Sequence, residues 1–358
     1  MPFTPPNFEI FSDAPDCPFV PAPADAVLPK QFMSTTNFPT YVKVAGSWYL
    51  AQNHRMDAHL VWENGQIITK EFRCIKKGDL IAVAVHEDGQ DGVLVWDQGF
   101  KDNREQSDEA FSFMSSEVSR EKPVNYPELI DAFRKNHADG YIVWVIGPAL
   151  VHSRGREAME WLIQAGYVDC VLSGNAVGVH DIEAALFGST LGMKADGSGA
   201  AGGHSMHMRA INSVKSHGSI ASMVQVGALN SGIMYNLCVH KIPYVLAGSI
   251  RDDGPLPETI TDALAAQAAM REHTSKATMV VMVATALHSI AVGNMLPTFC
   301  VRSDGRLEEL ATICVDQTEF LVSKLKDRGT HQAFGVVTNA QDFMRIVQLE
   351  LMESALSY

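Results

Sequence analysis

The sequence predicts an α/β protein in which a parallel-sheet domain follows a small β-rich N-terminal domain. In the first 110 residues, short strand-like segments alternate with turn pairs such as Asn64-Gly65 and Asp91-Gly92, which is typical of antiparallel hairpins. Beyond residue 127, apolar runs of strand length alternate with amphipathic segments of helix length, the pattern of βα units. Each run ends in small or polar residues, so the carboxyl ends of the strands are the predicted binding edge.

The N-terminal domain is predicted to span residues 1–112. Its strand-like segments lie at 41–44, 58–62, 67–72 and 80–85. Turn pairs that contain glycine separate these segments, so we expect an antiparallel sheet. The polar stretch 97–127 is the predicted linker to the second domain.

The second domain is predicted to span residues 113–358. We expect its parallel strands at 141–146, 168–172, 244–247, 279–283, 311–315 and 333–337. The run 278–296 has no charged residue, but its second half contains His288 and Asn294. A buried strand that leads into a helix therefore explains this run better than a membrane span does.

The charge balance excludes several classes of partner. The 358 residues include 41 acidic and 28 basic side chains, for a formal net charge of −13, which disfavours nucleic acid and anionic membranes. The N-terminus lacks the features of a signal peptide, and the six cysteines form no C-x-x-C pair, so we expect a cytoplasmic protein with reduced, buried thiols. No metal site is predicted, because His204 and His207 have no further ligand in register.

Two strand ends carry residues that suit a nucleotide. Segment 173–176 (Ser-Gly-Asn-Ala) joins a strand to a helix start, where glycine permits close backbone approach and the helix N-terminus attracts negative charge; a simple tight turn is the alternative. Asp316 can accept hydrogen bonds from a ribose or cap a following helix. The G-x-G-x-x-G pattern at Gly197, Gly199 and Gly202 follows no apolar strand, so we interpret it as a surface turn.

Two further segments have both a functional and a structural interpretation. The loop 248–257 leaves a buried strand and carries Arg251 and Asp252, which either meet a ligand or form an internal ion pair. His288 follows an apolar strand. Its functional interpretation is contact with a cofactor phosphate or transfer of a proton. Its structural interpretation is a buried core histidine with satisfied hydrogen bonds.

Longer motifs lie at 34–37, 113–119, 173–176, 179–183, 209–212, 231–235, 246–257, 287–297 and 314–316. On these motifs the sequence resembles the family named after the conserved region of lysine-ketoglutarate reductase/saccharopine dehydrogenase (LOR/SDH), whose archaeal and cyanobacterial members are NAD-dependent ornithine cyclodeaminases. The resemblance covers the chain from about Val20 to the C-terminus. It implies NAD as the cofactor and a Rossmann-like sheet similar to the NAD-binding domain of deoxyhypusine synthase.

The resemblance also implies which residues contact NAD. The family's contact positions fall on Asn175, Ala176, Asp253, Thr285, Ala286, Leu287, His288, Asp316, Asn339 and Ala340. These positions coincide with strand ends that are expected to bind a ligand on physical grounds.

The implied reaction converts L-ornithine to L-proline and ammonia by internal hydride transfer. Hydride leaves Cα for NAD, the δ-amine attacks the resulting imine, ammonia departs, and hydride returns to the cyclic imine. This chemistry needs a base near the amine and a cation for the carboxylate. The residues predicted to be catalytic are Asp57, Asp252 and His288. The residues predicted to bind the substrate are Asn53, Arg209, Lys215 and Arg251.

The sequence departs from the family pattern in ways that leave the substrate open. Residues 153–157 (Ser-Arg-Gly-Arg-Glu) stand where the family has Thr-Gly, and they add Arg154 and Arg156, which would suit a second substrate carboxylate. An insertion lies around 300–309. The alternatives are NAD-dependent chemistry on a different amino acid or amine, of opine or saccharopine type, aminobutyl transfer, or an NAD sensor without turnover. We also expect a homo-oligomer.

Overall fold

The computed structural model describes residues 3–100, 125–194, 198–199, 203–252, 254–317 and 333–355. The chain forms two compact units. Unit 1 contains residues 3–100 and Asn294–Leu310, and unit 2 contains the other described residues. The predicted boundary at residues 112 and 113 lies outside the described residues, as does most of the predicted linker. The grouping of Asn294–Leu310 with unit 1 differs from the prediction, which assigned this segment to the second domain.

Unit 1 is built from short antiparallel strands, as the turn pairs predict. Its first seven strands are β1 (Phe19–Pro21), β2 (Thr40–Val44), β3 (Ser47–Leu50), β4 (His59–Glu63), β5 (Gln66–Lys70), β6 (Leu80–Ala82) and β7 (Val93–Val95). They form one sheet in the order β1-β6-β4-β5 and a second in the order β3-β2-β7. The pair Asn64-Gly65 joins β4 to β5 with φ angles of 50° and 79°, as a type I′ hairpin requires.

Several strands of unit 1 differ from the predictions. Strands β1, β3 and β7 were not predicted, because strands of three or four residues carry little periodicity. The predicted strand 67–72 stops at Lys70, and a 3₁₀ turn follows at Phe72–Cys74. The predicted strand 80–85 stops at Ala82.

The remaining strands in chain order are β8 (Ile142–Ile146), β9 (Cys170–Gly174), β10 (Ser189–Thr190), β11 (Met193–Lys194), β12 (Tyr244–Ala247), β13 (Thr259–Ile260), β14 (Met279–Val283), β15 (Phe299–Val301), β16 (Leu307–Glu309), β17 (Ala311–Asp316) and β18 (Ala333–Val337). Seven of them form the parallel sheet of unit 2, in the order β13-β12-β9-β8-β14-β17-β18. This sheet confirms the predicted fold class, and it contains all six predicted strands. Strands β15 and β16 form an antiparallel hairpin in unit 1.

The α-helices among the described residues all lie in unit 2. In chain order they are α1 (Tyr126–Asp139), α2 (Pro148–His152), α3 (Arg156–Gln164), α4 (Asn175–Phe187), α5 (Met206–His217), α6 (Ile220–Gln225), α7 (Ile233–Val239), α8 (Ala263–Thr274), α9 (Ala286–Gly293) and α10 (Ala340–Ala355). Every residue of β8 and β14 is buried, as expected for central strands of a parallel sheet with helices on both faces.

The order of the strands defines where a ligand is expected to bind. From β8 the chain proceeds outward through β9, β12 and β13, and it then returns to the opposite side of β8 for β14, β17 and β18. The direction therefore reverses between β8 and β14. Ligands of open parallel sheets bind at such a reversal, outside the carboxyl ends of the strands.

The prediction for the uncharged run 278–296 is a buried strand that leads into a helix, and the prediction for the six cysteines is burial inside the protein. The uncharged run 278–296 contains strand β14 and helix α9, as predicted. No helix among the described residues is both long and apolar enough to cross a lipid bilayer. The six cysteines are free, but Cys74 is exposed, so the expectation that these thiols are buried is wrong at this position.

A buried lysine binds the N-terminal segment, residues 11–14, to strand β2 of unit 1. Lys43 on β2 is only 7% exposed. Its Nζ donates hydrogen bonds to the carbonyl oxygens of Phe11, Ser12 and Ala14, at 3.4, 2.9 and 2.7 Å. A buried ammonium is tolerated when its donors are satisfied in this way.

We expect Lys43→Met to destabilise unit 1 by about 2 to 4 kcal/mol, because the change removes a charged donor and leaves buried carbonyl groups unpaired. Urea unfolding followed by tryptophan fluorescence measures the effect, since Trp48 stacks on Phe8 and reports on this region. The control is Lys30→Met, at an exposed lysine. Equal stability of the two variants would contradict this role of Lys43.

Candidate functional site

The carboxyl edge of the sheet brings most of the predicted cofactor contacts to one side of unit 2. Asn175, Thr285, Asp316 and Asn339 stand at or just after the ends of β9, β14, β17 and β18. These strands are four of five neighbours in the sheet. With neighbouring strands about 4.8 Å apart, the edge extends over roughly 19 Å, enough for an extended ligand.

The backbone is closely packed where the strand order reverses. A Cβ atom on Gly147, after β8, would lie 1.9 Å from the carbonyl oxygen of Ala284, after β14. Ala284 has a left-handed φ of 60°. Glycine is therefore required at position 147, because any side chain there would displace the neighbouring loop.

His288 lies across the end of the neighbouring strand. A Cβ atom on Gly174 would lie 2.8 Å from Cε1 of His288, so the ring occupies the space that glycine leaves open. Its Nδ1 is 3.2 Å from Oγ1 of Thr285, which is itself buried. Burial lowers the pKa of His288, so the ring is neutral at neutral pH.

The features of this edge fit a polar ligand that carries phosphate groups. The N-cap of α4 is Gly174, which has no side chain to satisfy the first N–H groups of the helix. The buried Oγ of Ser289 has no hydrogen-bond partner among the described residues. A helix N-terminus with a close glycine approach is a recurrent phosphate site.

Two predicted contact residues also have structural roles. The Oδ1 atom of Asn175 accepts hydrogen bonds from the N–H of Leu256 at 3.0 Å and from Oγ1 of Thr259 at 2.9 Å. Asn339 caps α10, since its Oδ1 accepts the N–H of Asp342 at 2.8 Å. At these positions the side chains shape the site, and the backbone is the part available to a ligand.

A cavity of about 360 Å³ lies beside the N-terminal half of α4, and we call it the α4 cavity. Its lining residues are Asn175, Ala176, Val179, His180, Leu191, His207, Met208, Ile211, Arg251, Asp252 and Gly254. The volume is within the range of small-molecule sites. The lining combines apolar side chains with one guanidinium, one carboxylate and two imidazoles, which suits an amino acid.

The loop after β12 contributes Arg251 and Asp252 to the lining of the α4 cavity. Asp252 Oδ2 accepts the N–H of Ser249 at 2.7 Å, and the N–H of Arg251 donates to Oγ of Ser249 at 3.2 Å. The described residues show no ion pair between Arg251 and Asp252, which was the structural alternative. The ligand-binding interpretation of this loop stays a prediction.

A buried carboxylate supports one of the two imidazoles. Glu183 is fully buried and accepts hydrogen bonds from Nδ1 of His180 at 3.0 Å and from the N–H groups of Leu191 and Gly192 at 3.2 Å each. Burial alone would raise the pKa of Glu183, but these hydrogen bonds outweigh burial and lower it. Glu183 therefore stays ionised against His180.

A second histidine packs against His180. The rings of His152 and His180 meet edge to face with centroids 4.8 Å apart. Burial, with a smaller effect of His180, lowers the pKa of His152 to about 4. Its buried Nδ1 has no hydrogen-bond partner among the described residues, so His152 is a neutral ring in a poorly hydrated position.

The other predicted substrate contacts, and Asp57 of the predicted catalytic residues, are not among the residues that line the α4 cavity. Lys215 is exposed on α5, one turn beyond Ile211, and its Nζ approaches Gly254. Arg209 is exposed on the same helix and does not line the α4 cavity. Asn53 and Asp57 are exposed in unit 1, on a turn where both have left-handed φ angles.

Two of the predicted cofactor contacts lie wholly or partly outside the described residues. Asp253 lies outside the described residues, and the side chain of Leu287 does too. Asp316 is the last residue of β17, and its carbonyl oxygen accepts the N–H of Thr338 at 3.0 Å. Gly197 and Gly202 of the glycine pattern are also outside the described residues, whereas Gly199 has no neighbouring atom near its Cβ position.

Arg156 does not support the expectation of a second carboxylate-binding site. Its Nε donates to Oδ1 of Asp181 at 2.7 Å, and its Nη1 lies 3.4 Å from Oε1 of Glu160. Asp181 is fully buried and also accepts the N–H groups of Ile233 and Met234. Arg156 therefore neutralises Asp181 and Glu160 in unit 2. Of the two arginines that suggested a second carboxylate site, Arg154 and Arg156, Arg156 is thus already paired.

Sequence reasoning did not assign roles to His152, His180 and Glu183, and it considered His207 only as a metal ligand. The sequence signal that could have identified them is the spacing of Ala176, His180 and Glu183. These residues lie on one helix face directly after a strand end. The described residues contain no group of three or more side chains arranged to hold a metal ion.

Two family models match consecutive parts of the chain. The model described as arginine dihydrolase ArgZ-like, C-terminal, first region, matches residues 39–127. The model described as arginine dihydrolase ArgZ-like, C-terminal, Rossmann fold, matches residues 128–347. The second match covers the parallel sheet and the α4 cavity.

Three known proteins are similar to this chain in sequence or in structure. The chain is 43% identical to an ornithine cyclodeaminase from Methanopyrus kandleri over 339 residues, which is 92% of this chain and 77% of that protein. A conserved LOR/SDH protein from Methanococcus maripaludis S2 gives a TM-score of 0.84 at 38% identity and covers 95% of this chain and 99% of its own. AgrE in a ternary complex with ornithine and NAD+ gives a TM-score of 0.59 at 34% identity, over 97% of this chain and 47% of AgrE.

We expect His152 to make folding stability depend on pH. Its pKa of about 4 is lower than the ordinary value of 6.5, so the unfolded chain binds a proton that the folded chain excludes. This contribution to stability is fully present above pH 6.5 and is lost as the pH falls toward 4, by about 1 to 2 kcal/mol for a half-buried ring. Urea unfolding of the wild type and of His152→Phe at pH 7.5, 6 and 5 measures the difference. Identical pH dependence of the two proteins would contradict the assignment.

Proposed function

Because the chain belongs to the ArgZ-like family, which includes LOR/SDH proteins, we propose that it is an NAD-dependent ornithine cyclodeaminase. The enzyme would convert L-ornithine to L-proline and ammonia. The observation that carries this proposal is the α4 cavity, where Arg251, Asp252 and His180 surround a space of amino-acid size beside the helix N-terminus that follows β9. The ornithine cyclodeaminase relative and the complex of AgrE with ornithine and NAD+ support the same substrate class.

The cofactor site that we propose extends along the carboxyl edge of the sheet. The backbone N–H groups of Asn175 and Ala176 at the start of α4 would hold phosphate oxygens. Asp316 would accept hydrogen bonds from the ribose, and a carboxylate there favours NAD over NADP because it repels a 2′-phosphate. When bound, NAD supplies reversible hydride transfer with the substrate Cα. The segment from Thr285 to His288, together with Asp253, Asn339 and Ala340, completes the proposed contacts.

The substrate contacts that we propose follow from charge. Ornithine carries one carboxylate and two ammonium groups at neutral pH. Arg251 would bind the carboxylate, because a guanidinium can donate two parallel hydrogen bonds to it. Asp252 would bind an ammonium group through the oxygen that Ser249 leaves unbonded. Lys215 and Arg209 remain proposed helpers for the carboxylate, and Asn53 and Asp57 remain proposed partners of the amine.

We propose that His288, which lies near the point where the strand order reverses, transfers a proton. Its neutral ring can accept a proton, and its contact with Thr285 fixes the ring orientation. The homo-oligomeric state and the cytoplasmic location stay predictions.

We expect the purified protein to form proline and ammonia in equal amounts from L-ornithine when NAD is present. Net NADH should not accumulate, because the hydride that leaves Cα is returned. Mass spectrometry of proline and a coupled assay of ammonia make the measurement, with D-ornithine and L-lysine as comparison substrates. Ammonia with stoichiometric NADH and no proline would indicate an oxidoreductase instead, and NAD binding without any product would indicate a sensor.

We expect Arg251→Gln to raise the KM for L-ornithine roughly 10- to 100-fold, with a smaller change in kcat, because it removes a charge-assisted hydrogen bond to the carboxylate. Steady-state kinetics at saturating NAD measure the effect. The control is Arg134→Gln, at an exposed arginine on α1 that pairs with Asp131. A larger effect for Arg209→Gln than for Arg251→Gln would transfer this role to Arg209.

A further inference from the structure

His180 is placed to exchange protons with a ligand in the α4 cavity. It lies on the face of α4 that lines the cavity, one turn beyond Ala176 at the helix start. Nδ1 of the ring is engaged by Glu183. The second ring nitrogen, Nε2, is on the opposite edge of the imidazole, and it is the nitrogen available to a ligand.

Glu183 fixes the orientation of this ring and places a carboxylate beside it. The carboxylate is fully buried, and the N–H groups of Leu191 and Gly192 hold it in place. It therefore cannot rotate away from His180. An ionised carboxylate at Nδ1 selects the tautomer with the proton on Nδ1 and stabilises the imidazolium that forms when Nε2 accepts a proton.

His152 completes the surroundings of the ring without competing for the proton. Its edge-to-face contact with His180 restricts rotation of the His180 side chain. Because burial keeps His152 neutral at neutral pH, it adds no positive charge next to a protonated His180.

The other polar groups of the cavity suit different tasks. His207 on α5 has no hydrogen-bond partner among the described residues that would fix its tautomer. The Asp252 carboxylate is a surface-loop acid with one oxygen already bonded to the Ser249 amide, which suits binding of an ammonium group. Only the His180 side chain combines a fixed imidazole with a buried counter-charge among the described residues of this wall.

We propose that His180 is a catalytic acid–base residue and that Glu183 is its positioning residue. Nε2 accepts one proton from the substrate's side-chain ammonium: the N–H bond breaks, its electron pair stays on the substrate nitrogen, and an Nε2–H bond forms. The neutral amine is then nucleophilic, and the proton on Nε2 is available to the nitrogen that departs as ammonia. The assignment rests on the proposed function, since it requires a substrate amine that must be deprotonated before it attacks carbon.

The test uses the full-length enzyme with NAD and measures proline formation by the wild type and His180→Ala. We expect kcat to fall roughly 100- to 10,000-fold in the variant, while the KM for ornithine and the Kd for NAD, measured by calorimetry, stay within about threefold. Added imidazole should restore part of the rate. The rates with a series of substituted imidazoles should rise with the pKa of the added base, which a purely structural defect would not produce.

Two further variants serve as a control for His180→Ala and as a test of the positioning residue. His217→Ala changes an exposed histidine at the end of α5, so its rate should equal the wild-type rate and should not respond to imidazole. Glu183→Gln should lower kcat more than it changes KM, and imidazole should not rescue it, because the His180 ring still fills the site. If His180→Ala does not fold, as judged by circular dichroism, His180→Ser, which leaves similar space for imidazole, replaces it in the same assay.

The outcomes separate this proposal from the proposed function. If the wild type forms proline and His180→Ala retains a rate within tenfold of it, the role of His180 is wrong and the proposed function stands. Loss of activity without imidazole rescue in either folded His180 variant also overturns the acid–base role. A wild-type enzyme that forms no proline overturns the proposed function, and the role of His180 with it.

Discussion

One side-chain oxygen joins the elements from which the α4 cavity is built. Oδ1 of Asn175 accepts hydrogen bonds from Leu256 and Thr259, so it connects the first residue of α4 to the loop that follows β12. That loop carries Arg251 and Asp252, and α4 carries His180. The distance between these charged groups therefore depends on a buried amide, because an unpaired buried N–H of Leu256 would be costly. A residue expected to touch the cofactor thus also holds the loop that lines the α4 cavity.

Helix α4 is organised by two buried carboxylates that face in different directions. Asp181 meets Arg156 and the start of α7, and Glu183 meets His180 and the turn before β11. Buried acids are unfavourable unless they are paired or hydrogen-bonded, and both acids satisfy that condition. Their partners fix the rotation of α4 about its own axis, which determines the side chains that reach the cavity.

The sequence was a good guide to the central strands and a poor guide to long-range packing. Strands β8 and β14 were predictable because buried parallel strands are continuous apolar runs, whereas two-residue β13 has no such pattern. The segment Asn294–Leu310 follows α9 in the chain, so local patterns assigned it to the α/β domain, although it belongs to unit 1. Glu183 was missed for a similar reason. An acid on an amphipathic helix usually faces solvent, and only the folded chain places backbone N–H groups around it.

The cluster of Arg156, Glu160 and Asp181 limits how this chain can change during evolution. Burial and the neighbouring Asp181 raise the pKa of Glu160 against the effect of Arg156, so one cation serves two acids. A Cβ atom on Gly232 would lie 2.4 Å from Nη2 of Arg156. Loss of the arginine alone would leave the buried Asp181 and the half-buried Glu160 without their shared cation, and loss of the glycine would displace the guanidinium. Homologues that lack Arg156 should therefore also differ at positions 160, 181 or 232, and we expect these four positions to covary.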